Sequence, residues 1–476
     1  MDAHCIPVED RGKWITQKNM SHEVVNGKLG NMKGYKELFE GKRITVMGLG
    51  LLGRGVGDVE FLAKCGANIL VTDKKTPEEL APSIEKLKAY PNVDFHLGEH
   101  DQNDFLNADL VIKGAKVPLD SPYIAAAKDA GVPVAMSTAL FAKYAAEEGA
   151  TIVGITGTRG KSTVTHMIYH CLIRANKKTV LGGNVRGKST LAMLPEIERG
   201  YIAVLELDSW QLQGFGDMKI SPHIAVFTNL YPDHLDYYPS MDEYFRDKAN
   251  VFRHQHDGDF LFVGAEIAER IQAERPPTKA VIPQSLPADW QLKIPGEHNR
   301  ENASLAAAAL RALGQKEAEI RGGLESFEGL EGRLQFVREI HGVKIYNDNN
   351  STTPEATIAA LRAVGRKDKR VVVLILGGDD KKLDMSHLIT EIPKWCSSVV
   401  LFKERGTDRI RDGILALQPG VHVVEEEGLQ ACVNRAFSEA KRGDAILFSP
   451  AFQSFGKYFK NEYDRSDQFL KLISAI

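Results

Sequence analysis

Residues 154 to 163 read Gly-Ile-Thr-Gly-Thr-Arg-Gly-Lys-Ser-Thr, an order of residue types that suits a loop built to hold phosphate. Successive backbone N–H groups in a glycine-rich turn at the start of a helix form an anion cradle. A lysine there reaches the outer phosphates, and a Ser or Thr hydroxyl can sit on Mg²⁺. The lead-in from Thr151 to Val153 reads as a buried strand and Ser162 opens a helical pattern. Gly157, Thr158, Arg159, Gly160, Lys161, Ser162 and Thr163 are therefore expected to bind ATP. The strict pattern asks for glycine where Ile155 stands, so the loop is a variant. The alternative is a glycine turn with an exposed lysine.

Three further residues follow in the same stretch of chain. Glu206 ends the apolar run that starts at Tyr201, where a carboxylate can ligate Mg²⁺, a cation that prefers hard oxygen donors. The alternative is a cap for the next helix. His234, in Asp-His-Leu-Asp after the apolar run from Ile224, is expected at the same crevice, because the C-terminal ends of parallel strands converge. Lys248 lies in a helical stretch and, taken alone, reads as a solvated lysine.

A second glycine motif, Gly48-Leu49-Gly50-Leu51-Leu52-Gly53, follows the apolar run from Ile44, and Asp73 ends the next such run. Glycines at this spacing permit a tight turn and a close approach of backbone to a pyrophosphate. The ligand is then a nicotinamide dinucleotide or a UDP-type nucleotide, with a purely structural turn as the third reading.

These residues need a scaffold. The chain has 476 residues, and about 150 residues per domain makes three the expected number. Short apolar runs alternate with helical patterns in three series: from Ile44 to Met136, from Thr151 to Pro283, and from Lys344 to Ser449. That alternation is the mark of parallel βαβ units. It divides the chain into an N-terminal extension (1–36) and three α/β domains at 37–147, 148–335 and 336–476. The net charge of −3 argues against nucleic acid or an anionic membrane as the main partner. No apolar run approaches the roughly 18 residues that span a bilayer, so the protein is expected in the cytoplasm. The five cysteines show no metal-binding or disulfide spacing.

The ordered set of motifs resembles the Mur ligases: Thr-Gly-Thr-x-Gly-Lys-Ser-Thr, Leu-Glu-x-x-Ser-x-Gln-Leu, Asp-His-Leu-Asp, Pro-Gly-Glu-His-Asn-Arg-Glu-Asn ending at Asn302, and Leu-Glu-Gly-Arg ending at Arg333. The resemblance covers residues from about 40 to the end and implies three domains: Rossmann-like, P-loop ATPase-like and Rossmann-like. It also implies ATP-driven amide formation, in which a substrate carboxylate attacks the γ-phosphate and an amine displaces phosphate from the acyl phosphate. The glutamate-adding branch of the family is the nearest in pattern, with UDP-N-acetylmuramoyl-L-alanine as donor, in peptidoglycan precursor synthesis by a monomer.

By the same resemblance, Gly48 to Gly53, Asp73 and Ser209 meet the UDP substrate. Asn184 contacts the reacting carboxylate, and Asn302, Arg333 and Asp348 contact ATP, with Asn299 a weaker candidate for the adenine. Ser162, Glu206, His234 and Lys248 serve Mg²⁺, with Lys248 carbamylated by CO₂. Lys161, His234, Lys248 and Asn184 form the catalytic set.

The third domain departs from the family pattern. Asn350 stands where the family has a lysine beside the incoming glutamate. Ser454 keeps the glutamate-contacting serine, and Lys457 or Lys460 is the expected replacement cation. D-glutamate is the default acceptor and L-glutamate the alternative. A folylpolyglutamate synthase-like ligase and a non-catalytic UDP-sugar-binding module are the more distant readings.

Overall fold

The computed structural model describes residues 34–50, 53–115, 117–185, 187, 189–235, 237–454 and 456–476. Three separate sheets follow one another along the chain. In the first, β1 (Arg43–Met47), β2 (Asn68–Asp73), β3 (Val93–Leu97), β4 (Leu110–Lys113) and β5 (Val134–Ala135) are all parallel, in the order β3-β2-β1-β4-β5. The order reverses on either side of β1, so a crevice opens outside its C-terminal end, where Gly48 begins its turn.

The second sheet is also parallel. It contains β6 (Thr151–Thr156), β7 (Thr179–Gly183), β8 (Ile202–Glu206), β9 (Ile224–Phe227), β10 (Phe260–Val263) and β11 (Ala280–Val281), in the order β11-β10-β9-β6-β8-β7. Here β6 lies at the centre, between β9 and β8. Its residues Ile152 to Thr156 are all buried, as expected of a strand covered by helices on both faces.

The third sheet contains β12 (Gln335–Ile340), β13 (Val343–Asn347), β14 (Val372–Leu376), β15 (Cys396–Phe402), β16 (His422–Glu426) and β17 (Ala445–Phe448), in the order β12-β13-β17-β14-β15-β16. Only β12 among these runs antiparallel to its neighbour. The expected α/β class with mostly parallel sheets is what the chain adopts.

Two compact units result. One holds the first two sheets together with residues 303–323, and the other holds residues 285–302 and 324 onward. In the first unit a single buried cluster runs from Phe39, Ile44 and Val71 through Leu140 and Phe141 to Leu205 and Phe227. The helices Arg54–Lys64 and Ser137–Glu147 carry it from sheet to sheet, so these two layers share one core. In the second unit, separate clusters pack on the two faces of its sheet, around Leu374 and around Ile375, as the period-two alternation of a strand requires. Four cysteines, Cys65, Cys171, Cys396 and Cys432, are free and buried. Among the described residues, no helix is long and apolar enough to cross a membrane.

Candidate active site

The phosphate loop runs from the end of β6 into the helix Lys161–Arg174. Gly157 holds φ at +139°, and a Cβ there would lie 1.9 Å from Thr228 Oγ1, so only glycine fits. The strand next door clamps the loop: Thr158 N donates to Asn229 O at 2.9 Å, Arg159 N to Asn229 Oδ1 at 2.8 Å, and Thr228 Oγ1 to Arg159 O at 2.5 Å. Gly160, with φ +80°, takes the N-cap position, so the helix begins at Lys161 with Ser162 in its first turn. Such a loop offers its first-turn N–H groups and the positive end of the helix dipole to an anion.

Two lysines meet behind it. Lys161 Nζ donates to Gly157 O at 3.0 Å and to Thr158 O at 3.1 Å, and Lys248 Nζ donates to the same Gly157 O at 2.8 Å. Lys248 is 1% exposed and its Nζ lies 4.7 Å from the centre of the Tyr244 ring. Taken alone it read as a solvated helix lysine; instead it ends its helix, Met241–Lys248, pointing into the sheet. Burial, with the Lys161 charge beside it, holds its amine well below the usual lysine range.

Glu206 is 4% exposed at the end of β8. The capping alternative is settled two residues on: Asp208 Oδ1 accepts from Gln211 N at 2.8 Å, and Gln211 Oε1 accepts from Asp208 N at 3.2 Å, a reciprocal capping box. Glu206 is thereby left without that task. Ser209 is the buried first residue of the capped helix. His234 takes φ +56°, its ring 4.6 Å from that of Trp210 and 5.9 Å from that of Tyr244. Asn184 follows β7, and its N–H donates to Glu206 O at 2.7 Å, which ties it to the end of β8.

Among the described residues, no three His, Cys, Asp or Glu side chains cluster closely enough to hold a metal ion by themselves. The oxygen donors of Ser162 and Glu206 nevertheless suit Mg²⁺, which is commonly held by one or two carboxylates together with substrate phosphates.

At the first sheet, Gly48, Gly50 and Gly53 all take positive φ, as the tight turn requires. Asp73 stands behind this turn. One oxygen accepts from Leu49 N at 2.9 Å and the other from Lys75 N at 3.0 Å, so its carboxylate shapes the turn in the manner of a strand-end aspartate. Leu51 and Leu52 lie outside the described residues.

In the second unit, Asp348 is 5% exposed and spends its oxygens internally, on Leu334 N at 2.9 Å, Ser351 Oγ at 2.5 Å and Ser449 Oγ at 2.8 Å. Burial pushes its pKa up to about 6 against these hydrogen bonds. Asn302 Nδ2 donates to Asn299 Oδ1 at 3.4 Å, and Arg333 forms a bridge with Leu330. Asn350 accepts from Asn349 Nδ2 at 3.1 Å, and Ser454 is 2% exposed. Of the two expected replacement cations, Lys457 is paired with Glu427 at 3.0 Å on the surface and Lys460 is exposed. A different lysine approaches the Asn350 loop: Lys381 Nζ donates to Thr352 Oγ1 at 3.1 Å. Its signal in the sequence was the Gly-Gly-Asp-Asp-Lys-Lys string that follows β14. Also unforeseen was Arg465, 1% exposed, whose guanidinium holds Asn349 O and Oδ1 at 2.8 and 2.6 Å.

Three family models match the chain: the MurD-like N-terminal domain of Mur ligases over residues 42–136, the Mur ligase middle domain over 155–284, and the Mur ligase glutamate ligase domain over 332–452. A UDP-N-acetylmuramoylalanine--D-glutamate ligase of Roseiflexus sp. (strain RS-1) is 34% identical over 91% of this chain and 99% of its own length. A protein of the same description from Borreliella afzelii (strain PKo) is 32% identical over 90% and 97%. Among solved structures, the UDP-N-acetylmuramate-alanine ligase MurC of Thermotoga maritima shares the fold with a TM-score of 0.59 at 20% identity, over 91% of this chain and 99% of its own.

Proposed function

This chain belongs to the Mur ligase family, and we propose that it joins D-glutamate to UDP-N-acetylmuramoyl-L-alanine, driven by ATP, in peptidoglycan precursor synthesis. The observation that carries the reading is the convergence of Lys161 and Lys248 on one carbonyl oxygen of the phosphate loop, that of Gly157.

A donor carboxylate must approach the γ-phosphate of ATP, and the two anions repel. Lys161 at the loop lowers that repulsion and stabilises charge as it moves between oxygens. The carboxylate oxygen attacks phosphorus, ADP leaves, and the amine of glutamate then displaces phosphate from the acyl carbon. Asn184 orients the reacting carboxylate. Ser162, Glu206, His234 and carbamylated Lys248 are the residues we assign to Mg²⁺, which, when bound, neutralises phosphate charge. The depressed basicity of Lys248 supports its modification: a neutral amine adds to CO₂, an N–C bond forms and a proton is lost, and a cation becomes an anionic oxygen ligand. The Gly48 turn serves the UDP moiety. Lys381, Thr352 and Ser454 receive the glutamate. We assign the reaction to a monomer in the cytoplasm.

D-glutamate is the acceptor in the names of both relatives, and the L-glutamate alternative is not favoured. The MurD-like N-terminal domain likewise disfavours a folylpolyglutamate synthase-like reading. The test is phosphate release from ATP and Mg²⁺ with UDP-N-acetylmuramoyl-L-alanine and D-glutamate, L-glutamate or no amino acid. Release with D-glutamate alone is expected; equal release without any amino acid would overturn the proposal.

A further inference from the structure

The helix Arg54–Lys64 begins directly after the Gly48–Gly53 turn, and Arg54 is its first residue. Arg54 Nη1 donates to Asn184 Oδ1 at 2.9 Å, 130 residues further along the chain. Four residues later on the same helix, Asp58 Oδ1 accepts from Ser189 Oγ at 2.5 Å. Positions i and i+4 lie on one helix face, so this face grips the segment after β7 at both of its ends. Between them Gly57 lets the segment come close, for a Cβ there would lie 2.8 Å from Ser189 Cβ. The segment is pinned from its own side too, Ala192 N donating to Ser189 Oγ at 3.0 Å and Gly183 N to Thr190 Oγ1 at 2.8 Å.

The chemistry of the Arg54 contact fixes an orientation. A guanidinium has five N–H donors and no acceptor, so the Asn184 carboxamide must present its oxygen to Arg54. Its NH₂ group, with two donors and no acceptor, is then left for an oxygen-bearing partner. Were the amide flipped, Asn184 would offer a carbonyl oxygen to an anion and repel it. Arg54 thus reaches from the start of the donor-side helix to Asn184, which is itself tied to the end of β8.

We propose that Arg54 is a positioning residue for the ligase reaction. It holds the Asn184 amide with its N–H groups toward the donor carboxylate, and so links occupation of the UDP-sugar turn to alignment of the group that attacks ATP. This rests on the functional reading above, specifically on Asn184 as a contact to the reacting carboxylate.

The experiment compares Arg54→Met and Arg54→Lys with wild type and with Asn184→Ala and the Arg54→Met/Asn184→Ala double variant. Steady-state kcat, calorimetric Kd for the donor and thermal unfolding are read for each. Misplacing a reacting group by about 1 Å can cost on the order of 100-fold in rate, so Arg54→Met is expected to lower kcat about 10- to 100-fold. Its donor Kd should stay within about threefold, Arg54→Lys should recover part of the rate, and adding Arg54→Met to Asn184→Ala should cost little more. The proposal is overturned if Arg54→Met keeps full kcat, if the two single effects multiply, or if the whole loss appears in donor Kd. The Lys variant keeps the test open should Arg54→Met unfold. A wild type that releases no phosphate with D-glutamate counts against the functional reading; an active wild type with an indifferent Arg54→Met counts against this inference alone.

Discussion

Lys161 and Lys248, on two different helices, place their ammonium nitrogens 3.0 and 2.8 Å from one carbonyl oxygen, that of Gly157. Two like charges converging on one acceptor, with Lys248 1% exposed, disfavour full protonation of both. Lys248, the more deeply buried, is the one whose basicity is depressed.

Lys248→Ala should therefore be inactive, and short carboxylic acids added to the buffer should restore part of the activity by occupying the carbamate's place. Isotope-labelled bicarbonate should give a carbamate signal in wild type that disappears in the variant. Activity that survives the substitution would return Lys248 to a structural role.

Lys161→Met should lose turnover and keep its affinity for the UDP donor, because the phosphate loop and the Gly48 turn lie at the ends of different sheets. Calorimetry with the donor alone checks the second half. An active Lys161→Met protein would contradict the loop assignment.

Glu206 and Asp208 should separate cleanly. Asp208→Ala removes a helix cap and should lower stability by about 1 kcal/mol. Glu206→Gln removes no cap, and should leave the unfolding temperature near wild type while abolishing Mg²⁺-dependent phosphate release. If both variants lose only stability, Glu206 is not a metal ligand.

Lys381→Met should raise KM for glutamate at least tenfold and leave KM for ATP near wild type, whereas Lys457→Met, which loses surface contacts with Glu427 and the neighbouring Tyr458, should behave as wild type. Initial rates at varied glutamate decide the matter. The opposite pattern would move the glutamate site to the Lys457 side.

Asp58 supplies a pH test. Burial raises its pKa to about 6 from 3.8, while Ser189, Ser137 and Arg54 oppose the shift. A carboxyl that holds its proton more tightly when folded contributes stability that is present below pH about 4 and lost as pH rises through about 6. For a shift of about two units this amounts to about 3 kcal/mol. Asp58→Asn cannot ionise, so its unfolding temperature relative to wild type should rise between pH 4.5 and pH 8. A difference that does not change with pH would mean that Asp58 ionises as easily folded as unfolded.

Much of this was legible in the sequence, and the gaps have physical causes. The buried central strands, such as β6 and β14, announce themselves as unbroken apolar runs because helices cover both faces. Strands at a sheet edge, such as β3 and β12, are harder to read, because Val-Asp-Phe-His-Leu and Gln-Phe-Val-Arg-Glu-Ile alternate with polar residues and resemble loop. The phosphate loop was readable because its chemistry is local. Arg54 was not, because it matters through a contact with a residue 130 positions further along the chain, and spacing carries no trace of such a contact.

The most direct test of the account follows the oxygen. UDP-N-acetylmuramoyl-L-alanine labelled with heavy oxygen in its alanyl carboxylate, incubated with ATP, Mg²⁺ and D-glutamate, should pass one labelled oxygen to each released phosphate, because the carboxylate itself attacks phosphorus. Phosphate released without the label would mean that water, not the donor, takes the γ-phosphate, and the ligase reading would fall.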